Sequence, residues 1–312
     1  MLNHYFVVLM IFNAVFWFLL FREFDSSCPV GVELETVRLS TPIMSVMAFG
    51  DWGVNGPPLR KSMNRFHEGF SGISDAVFLL GDNFYPSGIS RRLGLEDPQF
   101  DLFRSLVARH TQCPYYAILG NHDTEGDVYA QVAFSDVEPR WHMPSRYYFQ
   151  KFRLSEGLRV CVWFLDTEQQ RNGTQLEWLD DSISRHKSSC AWLIVVGHHP
   201  VYTSGEYHRF TGMQRWLLPV LQRHKVDLYI SGHEHQSQIL KDEDFQTTYL
   251  IAGAIADLRH GSLQKDAKLI WGNAKKTALL SLVITKVGIF YAYHGVDNSQ
   301  DDAPMYSGVI TK

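Results

Sequence analysis

Five short apolar runs divide the chain, and each is followed by a cluster of glycine or serine and polar residues. The runs lie at 43–49, 76–80, 115–119, 192–196 and 226–230. Bounded runs of this length are typical of buried strands. Apolar residues also recur at helical spacing within 57–70, 98–107, 174–186 and 213–221. This alternation of strand and helix predicts an α/β domain.

The remaining pattern is richer in strands. Residues 146–165 predict two strands around Ser155-Glu156-Gly157. After Gln236 the pattern is all strand, with runs at 247–251, 278–285 and 289–294, and Lys286-Val287-Gly288 is a hairpin signal between the last two. Two strand-rich halves flanked by helices predict one sheet packed on another.

The polar clusters after the five runs carry the candidate chemistry. They contain Asp51, Asp82 with Tyr85, Asn121 with His122, His198, and His233 with His235. Strand ends of open α/β sheets commonly form sites, so we expect these residues to meet at one sheet edge and to bind metal. The acidic and phenolic groups suit a trivalent cation, whereas the amide and imidazoles suit a divalent one. Two different metal sites are therefore predicted.

The first residues have a different character. Residues 5–21 are apolar except for Asn13, which is near the lower limit for a spanning helix and longer than a usual signal-peptide core. We interpret 1–25 as a signal anchor or a cleaved signal peptide, 26–41 as a linker and 42–312 as one folded domain. Either N-terminal interpretation places the domain in the secretory route, as a membrane-anchored lumenal or extracellular domain or as a secreted one.

The composition indicates which kinds of partner to expect. The chain has 312 residues and a formal net charge of −4, without a strongly basic face, so nucleic acid is not an expected partner. Asn172-Gly173-Thr174 is an N-glycosylation sequon. The four cysteines, at positions 28, 113, 161 and 190, allow three pairings, and buried free thiols are the simpler interpretation.

The clusters together resemble a known signature. The five blocks are Asp51-x-Gly53, Gly81-Asp82-x-x-Tyr85, Gly120-Asn121-His122-Asp123, Val195-x-x-His198 and Gly232-His233-x-His235. They resemble the signature of the purple acid phosphatases, which belong to the calcineurin-like metallophosphoesterase superfamily. Within that family, the resemblance is greatest to the small animal-type tartrate-resistant acid phosphatases. The resemblance implies a four-layer α/β/β/α sandwich, here preceded by an N-terminal hydrophobic helix. It also implies a metal-dependent acid phosphatase that hydrolyses phosphate monoesters through a hydroxide bound at a dinuclear Fe(III)–M(II) centre, where M is iron, zinc or manganese.

The resemblance also implies residue roles. One metal site would contain Asp51, Asp82, Tyr85 and His235, and the other Asp82, Asn121, His198 and His233, with Asp82 bridging. His122 follows Asn121, matches a histidine that lies next to the ligands in the family, and is the first candidate for the group that protonates the leaving group. His208 is a second catalytic candidate that requires a one-residue shift, because Tyr207 holds the unshifted position. His199 stands where the animal-type family usually has tyrosine.

Two alternatives remain open at this stage. One is a phosphodiesterase or nucleotide pyrophosphatase on the same fold, although the diesterase branches generally lack the tyrosine that corresponds to Tyr85. The other is an iron-binding protein with incidental phosphatase activity. The main interpretation predicts a phosphate-ester substrate, a monomeric catalytic domain, and membrane contact only through the N-terminal segment if it is uncleaved.

Overall fold

The computed structural model describes residues 31–169, 173–206, 212–258, 262–266, 268–296 and 303–312. The predicted N-terminal helix, the glycosylation site Asn172 and the candidate His208 lie outside these residues. Within the described residues, no helix has the length and apolar character needed to cross a membrane.

Within the described residues, the strands form a nine-stranded and a seven-stranded sheet. In chain order the strands are β1 Val32–Glu33, β2 Val37–Arg38, β3 Met44–Phe49, β4 Ala76–Leu79, β5 Tyr115–Ala117, β6 Trp141–His142, β7 Tyr148–Arg153, β8 Arg159–Phe164, β9 Trp192–Val196, β10 Leu228–Ser231, β11 Ser237–Lys241, β12 Thr248–Ala252, β13 Leu269–Asn273, β14 Ala278–Ile284, β15 Ile289–Gly295 and β16 Tyr306–Ile310. The order is β1-β7-β8-β9-β10-β12-β11-β13 in the larger sheet, where β2 also pairs with β7, and β16-β15-β14-β3-β4-β5-β6 in the smaller.

The described helices are mostly short. They are α1 Pro57–Gly69, α2 Gln99–Leu102, α3 Asn121–Glu125, α4 Val128–Val137, α5 Gly173–His186, α6 Gly212–Trp216 and α7 Leu218–His224, with a π-helical segment at Phe103–Val107 and 3₁₀ turns at Gly94–Glu96, Thr167–Gln169 and Lys187–Ser189. Prolines at the start of α1 suit a helix N-terminus, where their missing N–H has no partner to lose. The predicted helix at 213–221 is instead divided into α6 and α7. Pro219 explains the break, because proline cannot donate the hydrogen bond that a continuous helix would require.

The five runs do not end at one sheet edge, contrary to the prediction. β3, β4 and β5 are parallel neighbours in the seven-stranded sheet, whereas β9 and β10 are parallel neighbours in the nine-stranded sheet. The carboxyl ends nevertheless meet because the two sheets pack on each other. At this junction the Gly50 amide donates a hydrogen bond to the Ala252 carbonyl at 2.9 Å, which joins the end of β3 to the end of β12.

Hydrogen bonds from buried tyrosines connect the two sheets. The Tyr148 hydroxyl on β7 donates to the Ala117 carbonyl of β5 at 2.9 Å, and the Tyr293 hydroxyl on β15 donates to the Ile251 carbonyl of β12 at 2.7 Å. Each bond satisfies a polar group that would otherwise be costly in an apolar interface. The shared core contains buried side chains from both sheets.

A second apolar core covers the other face of the nine-stranded sheet. It contains Trp163 of β8, Leu179 and Ile183 of α5, and Leu221 of α7. The Trp163 indole N–H donates to the Ser182 hydroxyl at 2.9 Å, which fixes α5 against the sheet.

Several elements were absent from the sequence-based prediction. β1 and β2 lie in the interval interpreted as a linker, and both pair with β7. Helix α4 was also missed, although Asp127 caps its N-terminus by accepting from the Tyr129 and Ala130 amides. A strand of two residues is too short to show an alternation of apolar and polar residues in the sequence. It forms because it pairs with a longer neighbouring strand.

The cysteines differ from the free thiols expected. Cys161 in β8 and Cys190 just before β9 form a disulfide, while Cys113 is free and buried. β8 and β9 are neighbouring parallel strands, so the two side chains meet although 29 residues separate them in sequence. Disulfides of this kind persist in oxidising compartments.

We expect the double variant Cys161→Ser/Cys190→Ser to lower the free energy of unfolding by about 3 kcal/mol, because the cross-link restricts the unfolded chain. Denaturant unfolding of both proteins, with the wild type also measured under reductant, tests this. The reduced wild type should match the variant. Alkylation of Cys161 or Cys190 in the unreduced, denatured wild type would contradict the pairing.

Candidate metal centre

The candidate ligands are held by unusual backbone at the strand ends. Asp51, Asp82 and His233 have φ values of 58°, 52° and 66°. This left-handed region is uncommon for residues other than glycine and is frequent at functional sites. Asp51 and Asp82 are almost completely buried. The chain therefore accepts backbone strain at three of the seven predicted ligands.

The first donor group surrounds Tyr85. Its hydroxyl lies 2.8 Å from Asp82 Oδ2 and 3.5 Å from Asp51 Oδ1, and 3.4 Å from His235 Nε2. Burial raises the pKa of Tyr85 well above its ordinary value, and the carboxylates of Asp51 and Asp82 raise it further. Ionising this phenol therefore requires a strong positive charge at the same place.

The second donor group is formed by Asn121, His198 and His233. Asn121 Oδ1 lies 3.2 Å from His198 Nε2 and 3.0 Å from His233 Nδ1, and the two imidazole nitrogens are 3.2 Å apart. His198 Nδ1 lies 2.8 Å from the Leu80 carbonyl oxygen, so Nδ1 carries a hydrogen and donates a hydrogen bond to that oxygen. In the neutral ring, which is the form that binds metal, His198 Nε2 then has a lone pair and faces Asn121 Oδ1, which is also an acceptor.

Asp82 lies between the two groups. Its Oδ2 is the atom next to Tyr85, whereas its Oδ1 lies 3.5 Å from His198 Nε2 and accepts from the His122 amide at 3.0 Å. The close approach depends on Gly120, because a Cβ atom there would overlap Asp82 Oδ1. Each carboxylate oxygen of Asp82 thus faces one donor group.

These donors fit a pair of metal ions. Ligand atoms of Asp51, Asp82 and His198 lie within 4.8 Å of one another, and acceptors so close together are unfavourable unless a cation lies among them. Burial lowers the pKa of His198, but the carboxylates of Asp82 and Asp51 outweigh it, so the pKa of His198 is raised. The pocket is therefore strongly negative. Its oxygen-rich half suits a harder cation than its imidazole-rich half.

A buried network behind the ligands was not predicted. Asp123 accepts hydrogen bonds from the amides of Gly120 at 2.8 Å and Phe84 at 3.1 Å, and from the side chain of Gln131 at 3.0 Å. It also accepts from the Asn83 amide at 3.0 Å. Burial, with the nearby Asp82 carboxylate, raises the pKa of Asp123, and these donors oppose the rise. The network fixes the loop that carries Asp82 and Tyr85 to the loop that carries Asn121.

The network extends to β3 through Trp52, whose indole N–H donates to Asn83 Oδ1 at 3.0 Å. On the other sheet, buried Glu234 lies between the two histidines of the His233-x-His235 motif and accepts from the Thr203 hydroxyl at 2.7 Å. The position of Asp123 within its block was the only signal for this support in the sequence. Gln131 and Thr203 are distant in sequence and gave none.

The other predicted histidines have distinct positions. His122 packs its ring on Tyr85 with 4.3 Å between centroids, and its Nδ1 lies 2.5 Å from the Pro86 carbonyl oxygen. His199 packs on His233 at 4.3 Å and its Nε2 lies 3.2 Å from Glu168 Oε1. Burial, and then the nearby His198, lower the pKa of His199 to about 3, so its ring is neutral. His208 lies outside the described residues.

The amino-acid sequence is similar to those of known phosphoesterases. The family model for calcineurin-like phosphoesterases matches residues 44–237. Tartrate-resistant acid phosphatase type 5 of Sus scrofa is 31% identical over 244 residues, which cover 69% of this chain and 71% of that protein. Purple acid phosphatase 7 of Arabidopsis thaliana is 30% identical over 286 residues, which cover 82% of this chain and 84% of that protein.

Solved structures share the fold. GAP50, described as the anchor in the inner membrane complex of Plasmodium, superposes with a TM-score of 0.74 at 22% identity, covering 87% of this chain and 89% of that one. A purple acid phosphatase from yellow lupin seeds superposes with a TM-score of 0.68 at 15% identity, covering 87% of this chain and 54% of that one. At these identities the likeness concerns the fold alone.

The protein has a mixed α/β fold in which two sheets pack together. Candidate metal ligands cluster where the strand ends of the two sheets meet. This combination is that of a metallophosphoesterase. The chain belongs to the calcineurin-like phosphoesterases and, within them, to the purple acid phosphatase family. It is accordingly a hydrolase, as the names of its relatives and of the matching family indicate.

We expect Asp123→Ala to lower the free energy of unfolding by about 3 kcal/mol, because it leaves several buried N–H groups without an acceptor. Asp136→Ala is the matched control, since Asp136 is exposed on the neighbouring helix α4, and such surface changes stay within about 0.5 kcal/mol. Denaturant unfolding measures both. Equal stabilities would show that the Asp123 network does not support the site.

Proposed function

We propose that this protein is an acid phosphatase that hydrolyses phosphate monoesters at a dinuclear centre of Fe(III) and a divalent metal. The observation that carries the proposal is the position of Asp82, with one carboxylate oxygen toward each donor group. We propose as ligands Asp51, Asp82, Tyr85, Asn121, His198, His233 and His235, and the short distances among their donor atoms support this set. The sequence relatives named acid phosphatases support the same activity.

The donor chemistry supports the assignment of unlike metals. Asp51, Tyr85, His235 and Asp82 would hold Fe(III), because a phenolate and carboxylates favour a hard trivalent ion. Asn121, His198, His233 and Asp82 would hold the divalent ion, which is iron, zinc or manganese. When bound, the two ions would supply positive charge for the phosphoryl oxygens and lower the pKa of the attacking water.

His122 is the proposed proton donor to the leaving group. Its Nδ1 is engaged by the Pro86 carbonyl, and its Nε2 lies 4.0 Å from Asp82 Oδ2. The bond to Pro86 and the packing on Tyr85 orient Nε2 toward the phosphate site. A protonated His122 would hold its second proton on Nε2, where it could pass to the departing oxygen. His208 remains the second candidate for this step.

The wider assignments belong to the same proposal. The shared core between the sheets and the helices on the outer face of the larger sheet support the four-layer α/β/β/α arrangement. The apolar segment 5–21 and the disulfide support a secretory route, with residues 1–25 as a signal anchor or signal peptide and 42–312 as a monomeric catalytic domain, to whose larger sheet β1 and β2 of the interval 26–41 also belong. Asn172 would be glycosylated there.

The test uses monoesters and diesters assayed across pH, with metal analysis on the same sample. We expect the wild type to prefer monoesters in acid, and His122→Ala to reduce kcat about 10²-fold or more for alkyl phosphates but far less for 4-nitrophenyl phosphate, because a good leaving group needs no proton. Added imidazole should partly restore the alkyl reaction. Equal losses on both ester types would rule out His122 as the acid, and a preference for diesters would overturn the monoesterase assignment.

Tyr85 allows a test by colour. A phenolate bound to Fe(III) gives a visible charge-transfer band, so the purified protein should be violet or pink, and Tyr85→Phe should lose the band while remaining folded. Tyr129→Phe is the control, because Tyr129 is 43% exposed on α4 and its variant should keep the colour. A colourless wild type with stoichiometric iron, unchanged by mild oxidants or reductants, would exclude the tyrosinate–iron assignment.

A further inference from the structure

A groove of about 860 Å³ lies beside the candidate metal centre. Tyr85 and Pro86 form one wall, residues 53–55 with Arg60 form a second, and the segment 98–109 forms a third. Tyr85 is at once a groove residue and a proposed ligand, with its hydroxyl 2.8 Å from Asp82. The groove therefore borders the candidate metal centre at Tyr85.

The walls of the groove are held by the same loops as the ligands. The Gly53 amide donates to the Asp82 carbonyl at 3.3 Å, and a Cβ on Gly53 would overlap the backbone of Asn83 and Phe84. Opposite, Phe100 and Phe103 are buried in the core and anchor the third wall. The groove is thus a fixed feature beside Tyr85.

The lining combines apolar and cationic side chains. Val54, Pro86, Pro98, Leu102 and Leu106 supply the apolar surface. The charged residues of the lining are Arg60, Arg109 and Asp101. Two arginines against one aspartate leave the lining with a net positive charge, and Asp101 also lies 3.5 Å from Arg104.

One arginine is fixed in place. Arg60 Nη2 donates to Asn55 Oδ1 at 2.8 Å, which holds the guanidinium at the groove wall. Beside His235 the centre has an acidic side chain instead, since Asp257 is 60% exposed and lies 3.6 Å from His235 Nδ1. An anionic group extending from the centre would be repelled on the Asp257 side and attracted on the groove side.

We propose that this groove binds the leaving group of the substrate, and that the preferred substrates are phosphate monoesters with an apolar body and a second anionic group. This rests on the proposed phosphatase function. The volume is that of sites for small organic ligands, far larger than a phosphate group requires. The apolar wall would contact the body, and Arg60 and Arg109 would bind the second anion through charge-assisted hydrogen bonds.

The test compares ω-carboxyalkyl phosphates of increasing chain length with their methyl esters, which differ only in the terminal charge. We expect the acid to show a KM about tenfold lower than its ester at the chain length that reaches the arginines, because one charge-assisted bond accounts for such a factor. Arg60→Gln and Arg109→Gln should each reduce this preference, measured as the ratio of the KM of the ester to the KM of the acid. Arg92→Gln, an exposed arginine outside the groove, should leave the preference intact.

The outcomes separate the two proposals. No hydrolysis of either compound would mean that the phosphatase assignment itself is wrong. Hydrolysis of both with equal KM at every chain length would overturn the groove proposal alone. A charge preference that survives in the Arg60→Gln/Arg109→Gln double variant would also overturn it, because the selectivity would then come from another part of the protein.

Discussion

The carboxylate of Asp82 holds the two halves of the candidate centre together. One oxygen lies beside the phenol of Tyr85, and the other lies beside the imidazole of His198 from the opposite sheet. Placing a buried carboxylate there requires a left-handed backbone at Asp82 and the absence of a side chain at Gly120. Such an arrangement is costly unless cations compensate the charge, so the local fold and metal binding are physically coupled.

The packing of two sheets sets the position of Asp82 relative to His198. Each sheet delivers its parallel strand ends to the same end of the molecule, and tyrosine hydroxyls bonded across the interface fix the sheets against each other. A small slide between sheets would separate ligands that lie about 3 Å apart. Purple acid phosphatase chemistry at this site thus depends on a core far larger than the site itself.

Different sides of the candidate centre have different surroundings. Buried acceptors such as Asp123 and Glu234 lie behind the ligands and hold the loops that carry them. His122 lies on the open side next to Tyr85. The groove beyond Tyr85 is cationic, whereas the side near Asp257 is acidic. In the groove proposal, this difference in charge gives an anionic leaving group a preferred direction.

The sequence by itself determined where the five strands end and predicted the ligand set, because bounded apolar runs followed by glycine and polar residues are local patterns. It also determined the family, because all five blocks occur in order. Only the tertiary structure decided that the runs belong to two sheets, that Cys161 pairs with Cys190, and that Gln131, Thr203 and Arg60 surround the centre. Those features join residues that are far apart in the chain. A local period or spacing does not predict which distant side chains will be in contact after folding.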